Sequence, residues 1–162
     1  MPYRLYTEEK VLYYADSNLN GLHVSVNEKA GTTLKGLVQS LVGKKMIYDP
    51  LADDGNGGDR YYLTTLLGKV YLKILQLEYA LSTSKNYDAL YQEIGNIAED
   101  AIGKDELADV IGLLVLARDG QLDAKSHKGE LAMRIINRMG LLQSGHLNAK
   151  GKILLRAVKE GE

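Results

Sequence analysis

Apolar residues recur along this chain as helical stripes punctuated by glycine. The clearest stripe is Leu34, Leu37, Val38, Leu41 and Val42, whose 3, 4, 7, 8 spacing sets one buried helix face and leaves Lys35, Gly36, Gln39, Ser40 and Gly43 opposite. Upstream, Thr7-Glu8-Glu9-Lys10 reads as a helix start, a threonine cap followed by acids in the first turn, with Val11, Leu12 and Ala15 as its buried stripe. Asn18 to Gly21 ends that helix. The pattern predicts a short second helix over 24–31, and Thr32-Thr33 caps the third. Met46-Ile47-Tyr48 and Arg60-Tyr61-Tyr62-Leu63-Thr64 flank a loop rich in Gly, Asp and Asn, which predicts a β-hairpin. A further helix starts at Thr65.

The second half repeats this plan in shorter form. Asp105-Glu106-Leu107 opens a helix that runs through Val110, Ile111, Leu114 and Val115 to Arg118 and stops at Asp119-Gly120. Residues 123–127 supply a short element. The helix over 128–139 is expected to bury Leu131, Ala132, Ile135, Ile136 and Met139, with Arg134 and Asn137 outward and Arg138 at the margin. Residues 140–147 read as a hairpin reduced to a tight turn. The stretch 65–75 then matches 148–158 without a gap, as a cap residue, two positions, Gly-Lys and an apolar helix. A duplicated unit is the economical reading. Residues 76–100 form a helical connector whose acidity argues against DNA contact.

Helices followed by a hairpin and one more helix is the order of a winged helix-turn-helix. The residues from Thr33-Leu34-Lys35-Gly36-Leu37-Val38 through Leu41-Val42-Gly43-Lys44-Lys45-Met46-Ile47 carry a family resemblance. Together with Asp59-Arg60 and the Thr-x-x-Gly start at Thr65 to Gly68, they resemble the DNA-binding core of MarR-type winged-helix regulators. The resemblance covers about residues 7–75 and implies sequence-specific DNA binding as a dimer. The expected fold is mainly α with small β-hairpins (α+β). It comprises a winged-helix-like unit at 1–82, an acidic helical connector at 83–100 and a second such unit at 101–162.

Composition narrows the class of protein. With 45% apolar and 25% charged residues, the 162-residue chain has room for one ordinary core or two small ones. The absence of cysteine excludes disulfides and thiolate chemistry. No apolar run approaches the ~20 residues of a membrane span, and the early Glu8 and Glu9 leave no signal-peptide core, so a cytoplasmic protein is expected. All eleven tyrosines fall between Tyr3 and Tyr91, which supports a boundary near residue 100.

Charge is segregated although the net charge is only −1. Residues 74–100 carry one Lys/Arg against five Asp/Glu, whereas residues 124–159 carry eight Lys/Arg against Glu130 alone. Such a block is either the footprint of a nucleic-acid face or a surface balanced in three dimensions by the acidic middle. Catalytic and metal chemistry find no support. His23, His127 and His146 lack ligand spacing, and 53–59 lacks the order and the terminal Glu of a calcium loop. Glu99-Asp100 and Asp105-Glu106 read as solvated or capping charges, and no phosphate-binding or nucleophile motif occurs. No enzyme activity or cofactor is expected.

Two readings follow. The first is a DNA-binding regulator of transcription or replication that contacts duplex DNA through Thr32, Thr33, Lys35, Gln39, Ser40, Lys44, Arg60, Lys128, Arg134, Asn137 and Arg138. On it, lysines and arginines meet phosphate while Gln39, Ser40 and Asn137 reach base edges. The second is a non-enzymatic adaptor resembling the kleisin-binding subunits of chromosome-organising complexes, with a homodimer or other protein partner. The outward Gly36 and Gly43 favour it, because glycine permits close helix approach and offers nothing to a base.

Overall fold

Capping chemistry sets where the first helix begins. In the computed structural model, which describes residues 7–19, 21–24, 33–50, 60–81, 87–121 and 130–159, the Thr7 side chain accepts from the Lys10 amide at 3.2 Å. Helix α1 (Glu8–Ser17) follows, then β1 (Leu22–Val24), α2 (Thr33–Gly43), β2 (Ile47–Tyr48), β3 (Arg60–Thr64) and α3 (Leu66–Leu81). Beyond these lie α4 (Asp88–Ile102), α5 (Lys104–Arg118), α6 (Glu130–Met139), β4 (Leu142–Gln143), β5 (His146–Leu147) and α7 (Ala149–Lys159). The described residues are thus mainly helical with small antiparallel sheets. Contacts divide the chain into two compact units, Met1–Leu72 and Lys73–Glu162, so the acidic α4 belongs with the second unit rather than standing apart as a connector.

In the first unit three strands form an antiparallel sheet in the order β1-β3-β2, with Leu22 opposite Tyr62, Val24 opposite Arg60 and Ile47 opposite Thr64. Val11, Leu12 and Ala15 of α1 are buried with Val38 and Leu41 of α2 and Val24, Met46 and Ile47 of the sheet segments. Val24 lies in β1, which corrects the helix expected from residue 24, because pairing with Arg60 holds its backbone extended; the remainder of 24–31 lies outside the described residues. Val42 is also corrected. It is 39% exposed, since the buried stripe of α2 turns away from it after Leu41.

The second unit buries Tyr91, Ile94 and Ala98 of α4, Leu107, Val110, Ile111 and Leu114 of α5, and Ile153, Leu154 and Leu155 of α7. Close packing of α4 on α7 depends on Gly95, where a Cβ would stand 2.7 Å from the Ala157 carbonyl oxygen. Helix α6 buries Ala132, Ile135, Ile136 and Met139 as expected, but Leu131 is 48% exposed. The stripe of α6 is narrower than its composition suggests.

Both units turn from helix to hairpin to helix in the same way, bond for bond. The turn after α2 has Lys45 at φ 64° and the turn after α6 has Gly140 at φ 63°. In each case the next amide reaches back across six residues, Met46 to the Leu41 carbonyl at 3.0 Å and Leu141 to the Ile136 carbonyl at 3.2 Å, closing a Schellman motif. The residue after the hairpin then caps the following helix. Thr65 Oγ1 accepts from the Gly68 amide at 3.0 Å and donates to the Lys45 carbonyl at 2.6 Å. Asn148 Oδ1 accepts from the Gly151 amide at 2.9 Å while its Nδ2 donates to the Gly140 carbonyl at 2.6 Å.

Glycine is required three residues beyond each cap. A Cβ on Gly68 would run into the Met46 carbonyl oxygen and lie 2.8 Å from Thr64 Cγ2; one on Gly151 would meet the Leu141 carbonyl oxygen and lie 2.7 Å from Leu147 Cδ1. The gapless sequence match therefore has a steric cause. The two hairpins differ mainly in length. Met46 and Leu141 are 95 residues apart while Thr65 and Asn148 are 83 apart, so the second hairpin is shorter by twelve residues. It closes on Ser144 and Gly145, both with positive φ, as a two-residue turn whose twist suits the strands.

Gly68→Ala and Gly151→Ala should each destabilise the protein by about 1–3 kcal/mol through overpacking. Thr65→Ala and Asn148→Ala should cost about 1–2 kcal/mol each through the lost cap. Gly36→Ala and Gly43→Ala, where nothing lies within 4 Å of an added Cβ, should be neutral or stabilising by up to about 1 kcal/mol. Urea titrations followed by circular dichroism separate the three classes.

Candidate functional site

The outward face of α2 is small and nearly uncharged. Gln39 is exposed, flanked along the helix by the exposed Gly36, Val42 and Gly43. Ser40 does not share that face. Its hydroxyl donates to Glu8 Oε1 on α1, and Lys44 Nζ donates to Glu8 Oε2, so one carboxylate ties the C-terminal half of α2 to the start of α1. Burial alone would raise the Glu8 pKa; the hydrogen bonds from Lys44 and Ser40 and the lysine charge outweigh it and hold the carboxyl below its ordinary value. Lys35 is half-buried, Thr33 begins α2, and Thr32 lies outside the described residues.

Beside this face runs a groove of ≈ 580 Å³ between α2 and the sheet, with Val38, Val42, Tyr48 and Tyr62 as walls and Gln39 at its rim. Arg60 Nη1 donates to Asp49 Oδ2 at 3.1 Å there, so the arginine expected to reach DNA is engaged by a carboxylate 12% exposed at its side chain. Burial first, and then the Asp49 charge, push the Tyr62 phenol above its usual pKa, with Arg60 acting in the opposite direction. The loop that follows Asp49 carries Asp53, Asp54 and Asp59 in sequence, and its residues 51–59 lie outside the described residues. On the other side of the sheet the rings of His23 and Tyr61, paired across the strands, stack at 4.9 Å.

In the second unit α6 presents a different chemistry. Arg134 and Asn137 are exposed and Arg138 is half-buried, while Lys128 lies outside the described residues. Arg134 Nη2 stands 3.5 Å from Glu130 Oε1 one turn earlier, with side chains 61% and 75% exposed. A pair so open to solvent contributes only a few tenths of a kcal/mol, on the order of other exposed i,i+4 pairs, and does not hold the guanidinium in place. The basic block is partly neutralised on α7. Lys150 lies 3.4 Å from Glu78, and Arg156 lies 3.7 Å from Asp88 with its guanidinium 4.2 Å above the Tyr91 ring. Lys152 and Lys159 remain exposed on α7.

The sequence pattern identified Gln39, Arg134 and Asn137 as outward. It missed the Glu8 clamp, because Glu8 and Ser40 are 32 residues apart and nothing local links a first-turn acid to a distant serine. It also missed the groove, which arises only once β2 and β3 set Tyr48 and Tyr62 beside α2. Among the described residues no three His, Asp or Glu side chains converge on a metal-sized site, and no helix is long and apolar enough to cross a membrane. Comparison of the chain with protein-family models, curated proteins and solved structures returned no match.

The Glu8 clamp has a pH signature. Because the folded-state pKa is depressed, its stabilisation is fully present above the unfolded value, near 4.5, and is lost as pH falls through the folded value. Wild type should therefore exceed Glu8→Gln in stability at neutral pH, and the gap should close only in acid. Urea midpoints measured from pH 7 down to pH 3 test this; a gap unchanged across that range contradicts it.

Proposed function

We propose that the chain is a tandem winged-helix protein that binds duplex DNA, acting in the cytoplasm as a regulator of transcription or replication. The observation that supports this reading is the repeated helix–hairpin–helix junction, in which α2 and α6 each stand directly before a hairpin with an exposed outer face, the placement used for reading a major groove. The sheet order β1-β3-β2 of the first unit fits the same architecture and the MarR-type resemblance of residues 7–75. Electrostatics favour the second unit as the source of affinity. Arg134, Arg138, Lys152 and Lys159 stand on α6 and α7 against Glu130, whereas in the first unit Lys44 and Arg60 are engaged by Glu8 and Asp49.

The adaptor reading keeps one specific observation in its favour, the apolar groove of the first unit beside the open glycines at 36 and 43. On that reading the first unit meets protein and DNA affinity is absent.

Fluorescence anisotropy of a labelled random-sequence duplex with the full chain separates the two. On the DNA reading, log affinity should fall with log salt with a slope of about −2.7 to −3.6, as expected for three or four phosphate contacts. Arg138→Ala should weaken binding to all sequences alike and flatten that slope by about one. No salt-dependent binding would reject the DNA reading.

A further inference from the structure

We propose that Gln39 and Arg134 are corresponding base-reading positions in the two units, so that the duplex recognised is a composite of two unlike elements, one read at adenine and the other at guanine. This inference rests on the DNA-binding reading above and moves Arg134 from phosphate to a base edge, leaving Arg138, Lys152 and Lys159 for the phosphates.

The correspondence comes from backbone geometry. The Schellman bonds pair Leu41 with Ile136, Lys45 with Gly140 and Met46 with Leu141, an offset of 95 residues throughout. Carried one turn back along the helices, that offset sets Gln39 on Arg134. Burial agrees at four of these pairs, Leu41 and Ile136 being buried and Gly36 and Leu131, Gln39 and Arg134, and Val42 and Asn137 exposed, and differs at others such as Ser40 and Ile135. Gln39 and Arg134 therefore occupy the same central position of the exposed face, Gln39 between Gly36, Val42 and Gly43 and Arg134 between Leu131, Asn137 and Arg138.

The two side chains read different edges. A glutamine amide offers one donor and one acceptor and matches adenine N7 and N6, whereas a guanidinium offers donors only and matches guanine N7 and O6. Arg134 can take this role because its ion pair with Glu130 is solvent-exposed and weak. Around it Asn137 and Arg138 add polar and cationic contact, while Gly36, Val42 and Gly43 around Gln39 add none. The second unit thus supplies affinity together with discrimination, and the first contributes discrimination with little charge. Two different helix faces cannot recognise identical half-sites, so the site is not palindromic within one chain.

Selection of duplexes from a fully randomised library by the full chain tests this, using side-chain exchange at the two positions. Wild type should enrich two unlike elements, one requiring adenine and one requiring guanine. Arg134→Gln should switch guanine to adenine in one element only, and Gln39→Arg should switch adenine to guanine in the other, each by roughly 5- to 150-fold, the span of a single bidentate contact. Gln39→Ala and Arg134→Ala should each erase the preference in one element and spare the other. Duplex binding with no enriched sequence, with a site whose elements are all alike, or with a motif that the exchanges leave unchanged overturns the inference and leaves the DNA-binding reading standing. Absence of duplex binding by wild type overturns both.

Discussion

One junction governs each unit: the contact between a helix-capping side chain and the carbonyl that ends the preceding helix. A helix leaves its last carbonyls and its first amides without partners, and a chain that turns sharply between two helices must satisfy both sets at once. Thr65 and Asn148 do so with a single side chain each, accepting from the amide three residues on and donating to the carbonyl of Lys45 or Gly140. The hairpin is thereby pinned at its base. Because the helix after it passes so close to the strand backbone, only glycine fits at 68 and 151. Removing the cap or adding a methyl group disturbs the same few ångströms of structure, and α2 and α6 owe their orientation within their units to it.

With the junction held constant, the two units diverge where it exerts no constraint. The first extends its hairpin and adds β1 to make a three-stranded sheet; the second has a two-residue turn and packs α4 against α7. Charge follows this division. The acids of the middle segment are not an inert spacer, since Glu78 and Asp88 meet Lys150 and Arg156 of α7. Two of the block's cations are used inside the second unit, and the outward character of the block is carried by α6 and by Lys152 and Lys159. In the first unit Glu8 and Asp49 perform the equivalent neutralisation of Lys44 and Arg60.

Local chemistry made much of this legible in the sequence. Thr7, Thr65 and Asn148 announced helix starts because capping depends on one side chain and a neighbouring amide, and Gly68 with Gly151 marked the repeat because sterics admit nothing larger. Boundaries that depend on partners were not legible. The strand at Leu22–Val24 exists only through pairing with β3, some forty residues away, and residue pattern alone assigned Val24 to a helix. Leu131 and Val42 looked like core because they are apolar and nearly in phase, yet the packed stripe is narrower than the apolar one. The site was legible only in part for the same reason. Outward Gln39 and Arg134 follow from helical phase, whereas their correspondence depends on hairpin lengths that differ by twelve residues.

The central claim is that the faces centred on Gln39 and Arg134 are the DNA-contacting surfaces. At 17.9 kDa, the chain suits amide-resolved NMR, and titration of isotope-labelled protein with a short duplex tests the claim most directly. The account predicts shift changes concentrated at 36, 39, 42 and 43 on α2 and at 131, 134, 137 and 138 on α6, with the latter group larger. Changes confined to Tyr48, Tyr62 and the groove of the first unit, or no changes at saturating duplex, would contradict it.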